Sequence, residues 1–306
     1  MIGSMMPQKQ QISVCICTYQ RPILLERLLS ALEQQDTEGF FEFSVVIVDN
    51  DKSESARSIV ESFARQSRIP VSYNVEPEQN IALARNRALA NSQGNFVAFI
   101  DDDEIPQESW LLRLYKALTD YHCDGILAPV LPLFEQTPPK WVLKGGYFDR
   151  PSHPTGHVLA WTNTRTGNVL LKRELFREDK KWFDPAFGSG GEDRDLFRRL
   201  IEKGHTFIWC NEAAVYETVP SNRWKRTVLL KRALLRGKMA LNTPGTGVLS
   251  ILKSVIAIVA YTTSLPLFAI CGQHIFMQYL IKLCDHLGKV LAFLGINLVR
   301  EKYVSN

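Results

Sequence analysis

The sequence predicts an α/β protein with a mostly parallel central sheet, and three observations carry that prediction. Short apolar runs alternate with helical patterns over the first half of the chain. Polar residues collect at the carboxyl ends of those runs, where ligands bind in open α/β sheets. The length of 306 residues suits one large α/β domain with an appendage.

Each element has its own signal. "ISVCICT" (residues 12–18) reads as a buried strand. Pro22 suits the first turn of a helix, and "ILLERLLSALEQQ" carries apolar residues at helical spacing. "FSVVIVD" (residues 43–49) is a second strand. "SESARSIVESFARQ" is a second helix, with Ser53 or Ser55 as its cap. "VSYNV" is a short third strand, and "NIALARNRALANS" a third helix closed by Gly94. "FVAFID" is the fourth strand, "ESWLLRLYKAL" the next helix and "GILAPV" a fifth strand. Residues 131–165 lose the alternation and read as a long substrate loop holding Trp141, Tyr147 and Trp161. "TGNVLLKRELF" follows as a strand and turn. Then "FGSGGEDRDLFRRLIEKG" gives a glycine-rich turn and a helix ended by Gly204.

Composition narrows the class. Hydrophobic content of 45% and charged content of 22% are ordinary for a globular protein, and a net charge of +4 does not point to nucleic acid. Cysteines at 15, 17, 123, 210, 271 and 284 lack zinc-finger spacing and read as reduced thiols of a cytosolic protein. His153 and His157 are four apart, but Pro151 and Pro154 argue against the helix that would make them a metal pair. The first eleven residues lack an apolar signal core, so the active part is expected to stay in the cytoplasm.

Several polar groups fall where a site is expected. Thr18 and Tyr19 follow the first strand, Asp49 and Asn50 the second, and Asp101-Asp102-Asp103 the fourth. In an extended segment Asp101 and Asp103 point the same way and suit one shared Mg²⁺ or Mn²⁺, which takes carboxylates plus substrate phosphates. The bland alternative is a solvated loop whose Asp caps the next helix. Asp49 can accept a hydrogen bond from the imide N–H of uracil, or be a strand-end turn residue. Arg85 offers a planar fork for carboxylate or phosphate, or is a surface helical arginine, an ambiguity Asn86 and Arg87 share. Glu192 and Asp193 open a helix after Gly190-Gly191. They either cap it, or present a general base worth about 10²–10⁴-fold in rate. Asp195 belongs to the helix surface. Gly188-Ser189-Gly190-Gly191 matches neither phosphate-loop pattern.

In this order, "ISVCICTYQRP…LLERLLSAL", "VVIVDND", "NIALARNRALA", "FVAFIDDDEIP" and "GGEDRDLFRRL" resemble glycosyltransferase family 2 with its GT-A fold. The match covers roughly residues 11–240. It is similar in particular to bacterial polysaccharide enzymes of the succinoglycan-glucosyltransferase type, which "VYETVPSNRWKRTVLLKRALLRG" also resembles. The resemblance implies inverting transfer of a hexose from a UDP-sugar to a lipid-linked or cell-surface glycan. It places Thr18, Tyr19 and Asp49 at the nucleoside and Arg85 near the nucleotide, with Asp102 in the same nucleotide-binding set. Asp101 and Asp103 match the metal-binding D-x-D motif, Asp103 as direct ligand. Asp193 matches the catalytic base, with Glu192 beside it. Many members carry a histidine near the position of Glu217 that helps bind the metal. Glu217 still offers an oxygen.

The tail changes character. Residues 254–271 lack charge, while residues 274–299 mix apolar residues with Lys282, Asp285 and Lys289, which suits an amphipathic interfacial helix. Seven Lys and Arg between 223 and 238 favour an anionic leaflet or a lipid diphosphate. The expectation is a catalytic domain over residues 1–240 and a membrane-associating region over 241–306. It puts the enzyme on the cytoplasmic face of the inner membrane, by surface attachment or hairpin insertion; a buried oligomer interface is the alternative. Two rival functions are a sugar nucleotidyltransferase and a non-catalytic nucleotide-sugar-binding protein. The first would show a glycine-rich N-terminal loop, and "CICTYQRP" has no glycine. Intact metal and base motifs argue against the second.

Overall fold

The computed structural model describes residues 9–177, 182–188, 190–242, 247–296 and 299. Residues 1–8, which bear on the targeting expectation, Ser189 of the glycine turn and residues 297 and 298 of the tail lie outside the described residues. The chain divides into two compact units, Met1–Pro132 with Arg150–Thr218, and Leu133–Asp149 with Val219–Asn306. This division by packing is cut differently from the division by role at residue 240.

In chain order the elements are β1 (Gln10–Thr18), α1 (Pro22–Glu33), β2 (Phe41–Asp49), α2 (Arg57–Gln66), β3 (Val71–Val75) and α3 (Ile81–Asn91). Next come β4 (Phe96–Phe99), β5 (Glu104–Pro106), α4 (Trp110–Asp120), β6 (Gly125–Leu127), β7 (Val130–Phe134) and α5 (Lys140–Gly145). The rest are β8 (Val169–Lys172), α6 (Glu192–Glu202), β9 (Phe207–Trp209), β10 (Val215–Val219), α7 (Arg226–Met239), α8 (Val248–Ile270) and α9 (Gln273–Phe293).

The first unit is built on a seven-stranded sheet in the order β3-β2-β1-β4-β8-β6-β9. Only β8 runs antiparallel, to both β4 and β6, so the sheet is mostly parallel. The pleat sorts the side chains of β1. Ile12, Val14 and Ile16 join one core with α1 and α4, while Cys15 and Cys17 join the other with α3 and α6. On α1, Leu25, Leu28, Leu29 and Leu32 recur at helical spacing and are buried, each worth roughly 1.5–3 kcal/mol as an upper bound. Both faces of the sheet are covered, as a parallel sheet requires.

Local details depart from expectation. Helix α2 starts at Arg57 without a side-chain cap from Ser53 or Ser55. Instead Asp49, at the end of β2, accepts from the Ala56 amide at 2.8 Å. Helix α3 ends at Asn91, ahead of Gly94, which lies in the following turn. "GILAPV" splits into β6 and the start of β7, and "EIP" forms β5, which pairs with β10 through Glu217↔Glu104. His153 and His157 lie outside any helix, with rings stacked 4.6 Å apart. All six cysteines are free thiols.

In the second unit the stretch expected to be loop contains α5. Trp141 packs on Tyr147 at 5.5 Å and lies under Arg226. Helix α9 packs against both α7 and α8. Three of its polar residues meet those partners: Asp285 takes a forked bond from Arg236 at 3.1 and 3.0 Å, His286 meets Ser254 at 3.2 Å, and Lys289 donates to Ser250, while Lys282 is exposed over Tyr279 of the same helix. Glycine brings α7 and α9 to backbone contact. A Cβ on Gly288 would lie 2.1 Å from the Leu234 carbonyl oxygen. Helix α8 runs on through Pro266 and is the one described helix long and apolar enough to cross a membrane. Val248, Leu249, Leu252, Ile256, Val259 and Ile270 leave its outer side exposed and apolar.

Candidate active site

The predicted site residues of β1, β2 and β4 meet at the carboxyl edge of the sheet because these strands lie side by side and run parallel. Asp102 and Asp103 occupy a turn, not an extended segment, so the simple alternation of side chains does not apply. Thr18 Oγ1 donates to Asp102 Oδ2 at 2.8 Å. Arg21, just ahead of α1, donates to Asp102 Oδ1 at 3.0 Å and to Asp103 Oδ2 at 3.3 Å. Burial pushes the Asp102 carboxyl up, and Arg21 opposes that rise. Asp101 turns the other way. It lies 3.5 Å from Arg85 Nη2, with its side chain 45% exposed.

A fourth acid, Glu104, lies fully buried behind these three. Its Oε2 accepts from the Asp101 amide at 3.1 Å, and its Oε1 has no partner. Burial, then the Asp101 charge, raises its carboxyl well above the usual range. Across the β5–β10 pair, Glu217 holds Arg150 in an ion pair. Burial disfavours the Arg150 charge, but Glu217, Glu104, Asp101 and Asp103 outweigh it and keep the group protonated.

Asp49 is fully buried. Its Oδ1 accepts from the Asp51 amide at 3.1 Å, and its Oδ2 from the Ala56 amide and the Tyr73 hydroxyl at 2.8 and 2.9 Å. A carboxylate has about four lone-pair sites, so one acceptor position remains. Tyr19 follows Thr18, the residue of β1 in register with Asp49, and its hydroxyl takes a hydrogen bond from Gln79. Asn50 bridges to the Glu76 carbonyl at 2.8 Å and accepts from the Asn80 amide at 3.1 Å, while Asn80 caps α3. The loops after β2 and β3 are thereby tied to the start of α3.

Arg85 and Glu192 form an ion pair, with Arg85 over the Phe183 ring at 5.8 Å. Gly190 and Gly191 have φ of +130° and +99°, backbone that a side chain disfavours, and they turn the chain into α6. The turn buries Glu192 and leaves Asp193 half-exposed. Burial raises Glu192 to about 7, against the pull of Arg85. Asp193 Oδ1 accepts from the Arg194 amide at 2.7 Å. The two neighbouring acids are thus sorted: one fixed by an arginine, the other at the surface of the cleft. Asn86 pairs with the Phe183 backbone, Arg87 with Glu76, and Asp195 with Arg198 and Arg199.

Sequence reasoning missed Arg21, Glu104, Arg150, Gly167 and Asn168. Arg21 adjoins the end of β1 and Glu104 closes the acidic run begun by Asp101, both local clues; Arg150, Gly167 and Asn168 meet their partners across long separations with no local signal. Asn168 is fully buried and fixed by Trp110 Nε1 at 2.7 Å and by the Pro129 and Ala213 carbonyls at 2.8 and 2.9 Å.

Among the described residues, no three His, Cys, Asp or Glu side chains group into a protein-made metal cage. A hard divalent cation usually needs only one or two carboxylates and finishes its shell with substrate phosphates. The residues fit that chemistry. A Cβ built on Gly167 would lie 2.9 Å from the unpartnered Glu104 Oε1 and 3.0 Å from Asp101 Oδ2, so oxygens of two acids converge on one small space.

Residues 13–200 match the family model described as "Glycosyl transferase family 2". The chain is 36% identical over 231 residues to the succinoglycan biosynthesis protein ExoM of Rhizobium meliloti (strain 1021), covering 74% of this chain and 73% of that protein. Among solved structures it is similar to the mannosyltransferase PcManGT from Pyrobaculum calidifontis in complex with GDP-Man and Mn²⁺. There the TM-score is 0.60 at 17% identity, over 94% of this chain and 88% of that one. It is also similar to S. aureus TarS 1–349 in complex with UDP-GlcNAc, at TM-score 0.53 and 20% identity, over 76% and 67% of the two chains.

Proposed function

This chain belongs to glycosyl transferase family 2, and from that premise we propose that it is a metal-dependent inverting hexosyltransferase. It takes a hexose from a UDP-sugar and places it on a lipid-linked or cell-surface glycan in polysaccharide assembly. The observation that carries this reading is the sorting of the two acids at the start of α6. Arg85 fixes Glu192, while Asp193 stands half-exposed, and both Asp101 and Asp193 act on Arg85 electrostatically.

In this reading Thr18, Tyr19 and Asp49 border the nucleoside. Arg85, between Glu192 and Asp101, sets the charge balance beside the nucleotide. Asp193 takes the proton of the acceptor hydroxyl as that oxygen attacks the anomeric carbon. Attack comes from the face opposite the leaving group. The electron pair of the breaking C–O bond goes to the diphosphate, and UDP departs. One displacement inverts the configuration, so an α-linked donor gives a β-linked product. Asp101 and Asp103 of the D-x-D motif, with Glu104 converging on the space beside Asp101, would hold a divalent cation, which would supply positive charge for the departing diphosphate. Glu217 holds Arg150 beside the same acids, which makes its part in the metal site indirect.

The donor class is supported by a solved structure of similar fold that binds UDP-GlcNAc, and the metal by another that holds Mn²⁺. The polysaccharide context is supported by the likeness to a succinoglycan biosynthesis protein. Attachment to the cytoplasmic face of the membrane is supported by the exposed apolar side of α8 and the basic residues of α7.

UDP release from a panel of UDP-hexoses, with Mn²⁺ and with chelator, tests the reading. Release with a preferred hexose that stops on chelation is the expected result. Release from GDP-sugars only, or equal rates after chelation, contradicts it.

A further inference from the structure

Arg21, Arg85 and Arg150 each hold carboxylates of the site. Arg165 does not: it makes no hydrogen bond or ion pair with any described residue. Nor is it a loose surface arm. Thr164 and Thr166 on either side are each 1% exposed, and Thr166 Oγ1 has no partner. Three residues beyond Arg165, the chain is pinned by the three hydrogen bonds of buried Asn168. Burial, followed by the Arg150 charge, lowers the pKa of Arg165, and Asp193 and Glu104 oppose them.

A partly desolvated guanidinium with unused donors is costly unless something completes it. The neighbours define what that something is. Two residues on, Gly167 stands against Glu104 Oε1 and Asp101 Oδ2, which puts this loop at the acids of the site, and Arg150 and Arg194 add positive charge around Arg165. Two arginines in one cleft favour an anion, and a planar fork of five N–H groups suits phosphoryl oxygens. The leaving diphosphate gains negative charge as the sugar departs, so donors already in place there strengthen in the transition state.

We propose that Arg165 binds the diphosphate of the donor, as a binding residue of this site beside the metal-binding acids. The inference rests on the proposed donor class, a nucleoside diphosphate sugar.

Equilibrium binding of UDP and of uridine to wild type, Arg165→Gln and Arg165→Lys tests it. UDP affinity should fall at least about tenfold in Arg165→Gln and recover in part in Arg165→Lys. Uridine, which lacks phosphate, should bind all three alike, and its binding reports that the variants are folded. Unchanged UDP affinity in Arg165→Gln overturns the inference, even if the acceptor KM rises. So does an equal loss of UDP and uridine. A wild type that binds GDP but not UDP contradicts the donor reading instead, and GDP against guanosine then decides on Arg165.

Discussion

Arg85 on α3 holds Glu192, the first residue of α6, across 107 positions of sequence. The pair is buried, while Asp193, the next residue, is left half-exposed.

That burial predicts a pH dependence. Glu192 is raised from its ordinary 4.5 to about 7, so the fold keeps it protonated where the unfolded chain does not. Its stabilising contribution is full below about pH 4.5 and is lost as pH rises through about 7. Between these limits wild type should lose roughly 2–8 °C of Tm relative to Glu192→Gln, which cannot titrate. Thermal unfolding of both proteins at pH 4.5 and pH 7.5 checks this; parallel curves contradict it.

Gly167→Ala should impair the metal requirement. The added methyl lies within 3.0 Å of oxygens from Glu104 and Asp101. Moving them costs about 1–3 kcal/mol of stability and narrows the space where they converge. The concentration of Mn²⁺ giving half-maximal UDP release should rise about tenfold or more. An unchanged activation curve with a folded variant contradicts the placement of the cation.

These residues show where sequence reading reached and where it stopped. The strands β1, β2 and β4 were legible because apolar runs ending in polar residues are local patterns, and so the edge that carries Thr18, Asp49 and Asp101 was legible too. Strand β5 was not: three residues beginning with a buried Glu form a strand only because β10 pairs with them. The cap of α2 was misplaced because a nearby Ser is the usual signal, whereas Asp49 reaches it from seven residues back. The partners of Arg21 and Arg150 lie 81 and 67 positions away, and nothing in a single chain marks such pairs. In the tail, Asp285 and Lys289 count towards an amphipathic interfacial helix in the sequence, and in the structure they bond to α7 and α8.

Gly288→Ala reverses the usual helix rule. In a helix interior Ala is ordinarily favoured over Gly by roughly 0.5–1 kcal/mol. Here its Cβ would meet the Leu234 carbonyl oxygen at 2.1 Å, and backbone cannot swing aside. A loss of about 1–3 kcal/mol is expected, seen as a lower unfolding midpoint in denaturant. A midpoint at or above that of wild type contradicts the close α7–α9 packing.

The exposed side of α8 should bind membranes. Leu252→Glu with Ile256→Glu places charge on the apolar side, in the N-terminal part of α8, without touching Ile251 or Ser254, which are buried. Sedimentation with anionic lipid vesicles should fall at least about tenfold for the double variant. Equal sedimentation contradicts α8 as the contact.

The central claim is that Asp193 deprotonates the acceptor at this edge of the sheet. Single-turnover transfer by wild type and Asp193→Asn, with UDP affinity measured in parallel, tests it most directly. The account predicts unchanged UDP binding and transfer slowed by about 10²–10⁴-fold in the variant. Transfer at the wild-type rate by a fully active-site-loaded Asp193→Asn would contradict it.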